Sequence, residues 1–249
     1  MNKPRNRKLL ITFYIVAALI IILCSTFIWY VKDYYHAVDI DSAMSSTETV
    51  SVTATDTGTL FDGPGTTDAL IFYPGAKVEP TAYAALLKKL AKSGIDCFLV
   101  NMPYNLAFFG INKADSIIDN YSYEHWYIAG HSLGGAMAAS YTAKYTDELD
   151  GLILLASYST SDLSGATFPV ISIYGSNDGI LNTEKVASSR SLMPDKYSEY
   201  IIEGENYGSV HYLHSTSVAS FASFLRLASL FIASFNVSSF FAKWNLIRL

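Results

Sequence analysis

The sequence predicts an α/β fold: a mostly parallel sheet with helices on both faces, preceded by one membrane-spanning helix. Three observations carry this reading. From Asp68 onward, apolar runs of strand length alternate with stretches of helical pattern, and the runs are apolar throughout, as strands buried on both faces require. One run, Trp126-Tyr127-Ile128-Ala129, passes through Gly130-His131-Ser132-Leu133-Gly134-Gly135 into Ala136-Met137-Ala138-Ala139, a set of good helix formers. Near the N-terminus, Leu9 to Val31 is an apolar run broken only by Thr12, Ser25 and Thr26.

The last feature sets where the chain resides. A spanning helix needs about 20 apolar residues, and this run supplies them. Lys3, Arg5, Arg7 and Lys8 stand in front of it, so the positive-inside rule places residues 1–8 in the cytoplasm as a basic stub. Residues 9–31 then cross the membrane, and everything after Lys32 lies outside. A cleaved signal peptide would have a shorter apolar core, of about 7–15 residues, and a small-x-small exit. Here the run closes on Phe27-Ile28-Trp29-Tyr30, an aromatic girdle suited to a membrane interface, which favours an uncleaved signal anchor in the cell membrane.

Residues 32–47 are polar and read as a stalk, 48–208 as the α/β domain, and 209–249 as an atypical Ser/Phe/Leu-rich segment without any acid. Within that last segment Phe221, Phe224, Leu225, Ala228 and Phe231 fall on helical spacing, consistent with a closing helix. Cys24 lies in the membrane run and Cys97 in a strand-like run, so they do not pair and the domain folds without a disulfide. Charge is divided sharply. Residues 1–32 hold five Lys/Arg and no acid, whereas residues 33–209 hold nine Lys/Arg against all 22 Asp/Glu, a net of −13. An outer domain so acidic lacks the basic footprint of a nucleic-acid binder.

Taken in order, Thr49 to Thr55 alternates as an exposed edge strand would, opening one or two starter strands. Ala69 to Tyr73 is a buried strand ended by Pro74-Gly75. Pro80 to Ala91 is an amphipathic helix with Tyr83, Leu86, Leu87 and Leu90 on its apolar face and Gly94 as its stop. Cys97 to Met102 is a strand broken by Pro103, and Asn105 to Tyr121 reads as a helix. The strand leading to Ser132 and a helix to about Thr146 follow. Gly151 to Ala156 and Val170 to Tyr174 are strands, Thr183 to Leu192 is a helix, and Tyr200-Ile201-Ile202 is the last strand.

The chemistry centres on Ser132. A strand that turns at once into a helix crowds its own backbone, and glycines at 130 and 134 remove the side chains that would clash. The serine is then left exposed at the tip, with the helix N-terminus behind it to stabilise a developing oxyanion. The bland alternative is a serine that merely caps a helix. A nucleophilic serine needs a base to take its proton and a carboxylate to orient that base, in the chain order Ser, Asp/Glu, His. Asp178, in Tyr174-Gly175-Ser176-Asn177-Asp178-Gly179, follows a buried strand and suits the acid, which is the reading taken over an N-cap or turn residue. Of five histidines only His211 and His214 come after Asp178, and His211 is taken as the base, with His214 behind it. The oxyanion donors expected are the N–H of Leu133 and one from Gly75 or Ala76. No metal-ligand spacing or phosphate-cradling loop occurs, so no cofactor is implied. The partner expected is a small acyl or ester substrate.

These residues resemble the α/β-hydrolase superfamily, and more closely its membrane-anchored bacterial α/β-hydrolase fold-5 group, related to dienelactone-hydrolase-like enzymes. The resemblance lies in Phe72-Tyr73-Pro74-Gly75-Ala76-Lys77-Val78, Met102-Pro103-Tyr104-Asn105-Leu106-Ala107, Gly130 to Ala138, Leu154-Leu155-Ala156-Ser157-Tyr158 and Tyr174 to Gly179. It implies Ser132 as nucleophile and Asp178 as acid. In that family the catalytic histidine directly follows Gly-Gly-Asn; here the run is Gly204-Glu205-Asn206-Tyr207, with tyrosine in the histidine's place. A phenol of pKa near 10 is no base at neutral pH. Three readings stay open: His211 has taken over the role, the protein is a degenerate hydrolase that binds without turnover, or the tail is an altered reading frame.

Overall fold

The computed structural model describes residues 5–203. Helix α1 (Arg5–Lys32) leads into a short helix α2 (Asp41–Met44), then strands β1 (Ser51–Thr55), β2 (Gly58–Asp62) and β3 (Asp68–Tyr73). A 3-10 turn (Pro80–Tyr83) opens helix α3 (Ala84–Lys92), followed by β4 (Asp96–Val100), α4 (Lys113–Asn120), β5 (His125–His131) and α5 (Leu133–Lys144). The remainder is β6 (Gly151–Leu155), β7 (Val170–Gly175), α6 (Thr183–Ser189) and β8 (Tyr197–Ile202). The strands form one eight-stranded sheet in the order β1-β2-β4-β3-β5-β6-β7-β8. Pairings are parallel from β4 to β8, and antiparallel only where β2 joins β1 and β4.

The unbroken apolar character of the strands has a direct cause. Leu70 and Phe72 face one layer with Leu86, Leu87 and Leu90 of α3. Ala69, Ile71 and Tyr73, one residue out of phase, face the other layer with Ile117 of α4 and Ala138, Ala139 and Tyr141 of α5. Each face of a central strand is therefore covered. β1 differs: its residues are exposed or half-buried, as its polar alternation predicts for an edge strand. Among the described residues one helix, Arg7–Lys32, is long and apolar enough to cross a membrane, and its most apolar stretch is not buried against other described residues.

The expected helix from Asn105 to Tyr121 does not form as one piece. Tyr104 and Asn105 both take positive φ, 57° and 54°, and short 3-10 turns at Pro103–Asn105 and Ala107–Phe109 replace its first half. The Asn105 carbonyl turns aside to accept the Lys77 N–H at 2.8 Å, so it cannot serve a helix. Only Lys113–Asn120 is helical. The last strand starts earlier than expected, at Tyr197. The stretch after Lys32, read as a stalk, bonds to the domain. The Tyr35 N–H reaches Lys77 O at 2.7 Å, the Glu79 N–H reaches Tyr35 O at 2.9 Å, and Lys88 donates to the carbonyls of Ser42 and Ser45.

Strand β8 is tied to the segment after α6 by Arg190, whose Nε and Nη2 donate to both oxygens of Glu199 at 2.7 and 2.6 Å. This pair holds the Glu199 carboxyl below the usual range, helped by the Tyr197 and Tyr174 hydroxyls. A depressed carboxylate stabilises the fold above its unfolded pKa and loses that contribution as pH falls through the folded value. Glu199→Gln is thus expected to lower the unfolding midpoint at pH 7. The gap to the parent narrows below about pH 4, read by denaturant titration across pH.

Candidate active site

The turn from β5 into α5 is tightly constrained backbone. Ser132 sits at φ 51° and ψ −122°, a region that costs a non-glycine residue about 1–3 kcal/mol. Its neighbours hold it there. The Ser132 N–H donates to Leu155 O at 2.9 Å, and its carbonyl accepts from the Ala136 N–H at 3.1 Å and Ser157 Oγ at 2.7 Å. The side-chain hydroxyl makes no capping bond to α5, so the serine is not there to cap the helix. It is half-buried at the tip of the turn.

The glycines are fixed by contact. A Cβ at Gly130 would lie 2.4 Å from the Gly134 carbonyl carbon, one at Gly134 would lie 2.1 Å from Tyr73 O, and one at Gly135 would lie 2.6 Å from Ser157 Cβ. None of these neighbours is a flexible chain end. The tight approach of Gly134 also seats the Tyr73–Pro74 backbone beside the start of α5. Leu133, the first residue of α5, has an N–H with no carbonyl one turn back inside the helix to receive it.

The loop after β3 is pinned by buried polar groups. The Gly75 N–H donates to Tyr83 Oη at 3.1 Å, and Tyr83 Oη lies 2.9 Å from His131 Nδ1. Both rings are fully buried. A Cβ at Gly75 would stand 2.6 Å from that same nitrogen, so this position excludes any side chain. Of the two oxyanion donors expected from this loop, the Gly75 amide is thus engaged inside the protein. Further along the loop, the Lys77 N–H bonds Asn105 O, linking this loop to the next. Tyr73 completes the brace: its hydroxyl donates to Ile111 O at 2.7 Å and accepts from the Ala114 N–H at 3.1 Å. Burial pushes its pKa up, so it stays a neutral hydroxyl.

Asp178 lies past the carboxyl end of β7 and is 8% exposed. Its Oδ1 accepts from the N–H groups of Ile180 and Leu181 at 2.9 and 2.8 Å, which closes a turn. Its Oδ2 is buried with no hydrogen-bond partner among the described residues. The turn role thus occupies one oxygen of the carboxylate and leaves the other open. A buried carboxylate oxygen left open is a place for a donor. Strand β8 runs parallel to β7 and ends with Ile202 O accepting from the Ser176 N–H at 3.0 Å, so the chain leaves the sheet beside the Asp178 loop.

His211, His214 and Tyr207 lie outside the described residues. The histidines inside them do not fit a base. His36 faces Glu79 at 3.5 Å near the end of α1, and His125 faces Asp150 at 3.5 Å at the opposite end of β5 from Ser132. His131 is held by Tyr83. Among the described residues no group of His, Cys, Asp and Glu gathers as metal ligands would. Sequence reasoning missed three supports: Tyr83, read as an apolar helix position, Ser157, and Asn105, read as a helix start. Their roles are long-range contacts without a local signature.

The family model described as "Alpha/beta hydrolase family" matches residues 69–212, more than half of the chain and past both Tyr207 and His211. Among solved structures, a "predicted CIB-like hydrolase" from Thermoplasma acidophilum is similar at 16% identity, covering 74% of this chain and 98% of that one with a TM-score of 0.56. An α/β hydrolase from the metagenome of sediments of the Mar Chica lagoon in Morocco is similar at 15% identity, covering 74% and 98% with a TM-score of 0.59. The protein TT1662 from Thermus thermophilus is similar at 13% identity, covering 76% and 99% with a TM-score of 0.58. These likenesses establish the fold. No curated protein matches the chain.

Two substitutions test the packing. Gly134→Ala drives a methyl into the Tyr73 and Pro74 carbonyls and is expected to destabilise by about 1–3 kcal/mol or more. Tyr83→Phe leaves the Gly75 N–H without its buried acceptor and is expected to cost about 1–3 kcal/mol. Chemical denaturation of the detergent-solubilised protein measures both.

Proposed function

Because the chain belongs to the alpha/beta hydrolase family, we propose that it is a membrane-anchored serine hydrolase cleaving a small carboxylic ester or related acyl compound. The observation that carries this is Ser132: strained backbone, hydroxyl uncommitted to the helix, and a helix N-terminus behind it. In this reading Ser132 Oγ attacks the acyl carbon while His211 takes its proton. The carbonyl oxygen becomes an oxyanion facing the N–H groups of Leu133 and Ala76. The alcohol leaves with the proton returned by His211, giving an acyl-serine. A water, deprotonated by the same histidine, then releases the acid and restores the serine. Asp178 Oδ2 holds the histidine's other ring nitrogen, a role its buried, open position supports. That the family match reaches residue 212 supports treating the segment with His211 as part of the domain. Helix α1 is the anchor, and the basic residues before Leu9 support a cytoplasmic N-terminus with the domain outside.

Tyr207, in the place where the family carries histidine, favours a second reading: a hydrolase-fold protein that binds without turnover. Labelling separates the two. A fluorophosphonate probe is expected to mark the wild type covalently and to leave Ser132→Ala unmarked; an unmarked wild type contradicts the hydrolase reading. Esterase activity that His211→Ala lowers by at least ~100-fold supports His211 as base. Activity that appears only in Tyr207→His supports the second reading. With a histidine base, the acylation rate rises with pH through about 6.5 and then levels, read by stopped-flow labelling.

A further inference from the structure

Helix α1 does not end freely above the domain; its last turns pack against the loop between β4 and α4. The Phe27 ring lies 5.5 Å from Tyr104 and 6.1 Å from Phe109, edge to face in both cases. Tyr104 and Phe109 are themselves 5.6 Å apart, and Phe108 lies 4.2 Å from Phe109. The next turn adds Lys77 Nζ, 4.5 Å above the Tyr30 ring and 3.0 Å from Asp33. Tyr35 then pairs with Val78 in a parallel bridge. The end of the span is thus fastened to the loop holding Ala76 and to the Pro103–Gly110 loop.

The sequence fixes the depth of this contact. Phe27 precedes Val31, the end of the apolar run, and at about 1.5 Å rise per residue it lies roughly 6 Å inside that end. Any residue packed on Phe27 is therefore at the level of the bilayer interface. Yet Tyr104, Phe108 and Phe109 remain 59%, 47% and 47% exposed, three adjoining aromatic side chains only partly covered by the described residues. Aromatic rings are the side chains that favour this zone. Beneath them Leu106 and Ala107 are buried, and the Ala107–Phe109 turn packs on α5, the helix that starts at the candidate nucleophile. The strained backbone at Tyr104 and Asn105 holds the ring of Tyr104 outward while the Asn105 carbonyl bonds Lys77.

We propose that Tyr104, Phe108 and Phe109 form a membrane-contact surface on the Lys32 side of the bilayer. This surface sets the mouth of the site against the lipid, so the acyl compound taken is one dissolved in the membrane. The substrate half rests on the hydrolase reading above; the contact half rests only on α1 as the membrane anchor.

The test uses the full-length protein reconstituted in phosphatidylcholine vesicles. A Cys24→Ser background leaves only buried Cys97, and an environment-sensitive NBD label is placed at Phe108→Cys or, as control, at Ser164→Cys before β7. The label at 108 is expected to be blue-shifted and quenched by shallow spin-labelled lipids, and the control to report water. A label at 108 that behaves like the control overturns the contact. Turnover is then compared on a long-chain acyl ester held in the vesicles and on a short water-soluble ester. Phe108→Ser with Phe109→Ser is expected to lower the vesicle rate at least fivefold and leave the soluble rate unchanged. Equal loss on both esters, or none on the vesicle ester, overturns the substrate half. A wild type inactive on both esters with the label in lipid sinks the hydrolase reading, and the substrate half with it, while the contact stands.

Discussion

The crowding where β5 turns into α5 is the constraint on which the rest depends. Three positions, Gly130, Gly134 and Gly135, tolerate no Cβ because backbone or Ser157 lies within 2.6 Å of where it would be. That closeness lets α5 lie on the sheet through Ala138 and Ala139 with no exposure at either residue. It also forces Ser132 into positive φ, a strain the Leu155, Ala136 and Ser157 hydrogen bonds offset locally. Fold and candidate chemistry are thus one device. The same close approach that seats α5 on the sheet leaves the serine at its tip.

Around that turn the protein uses buried hydrogen bonds to fix loops that hydrophobic packing would leave loose. His131, Tyr83 and Gly75 link the strand before the serine to the loop expected to face it. Tyr73 links the end of β3 to the start of α4. The Lys77–Asn105 bond joins two loops at the carboxyl end of the sheet. Hydrogen bonds of this kind, made at low local dielectric, resist displacement of the groups they join. Their consequence is that the loops after β3 and β4, the turn at Ser132 and the end of α1 hold a common geometry, which is why the proposed membrane contact bears on the site.

Much of this was legible in the residues. The apolar runs gave the parallel strands because burial on both faces favours apolar side chains at successive positions, as Ala69 to Phe72 show. Gly-x-Ser-x-Gly between a strand and a helix located the turn because sterics leave few other solutions. The helix expected at Asn105–Tyr121 failed for a reason invisible locally: Asn105 is recruited by Lys77, a partner distant in sequence. The engagement of the Gly75 amide likewise comes from Tyr83, whose hydroxyl a helical-wheel reading counts only as part of an apolar face. Asp178 was readable as either turn residue or acid; its Oδ1 takes the turn role, and its Oδ2 is left open.

The account rests on a histidine reaching a serine that the fold has already prepared. The most direct measurement is an experimental structure of the full chain, read at a single distance, from the nearest histidine nitrogen to Ser132 Oγ. The account predicts His211, one ring nitrogen within about 2.6–3.2 Å of Ser132 Oγ or slightly longer without substrate, and the other facing Asp178 Oδ2. Tyr207 facing Asp178 Oδ2, with His211 directed away from Ser132, would contradict it.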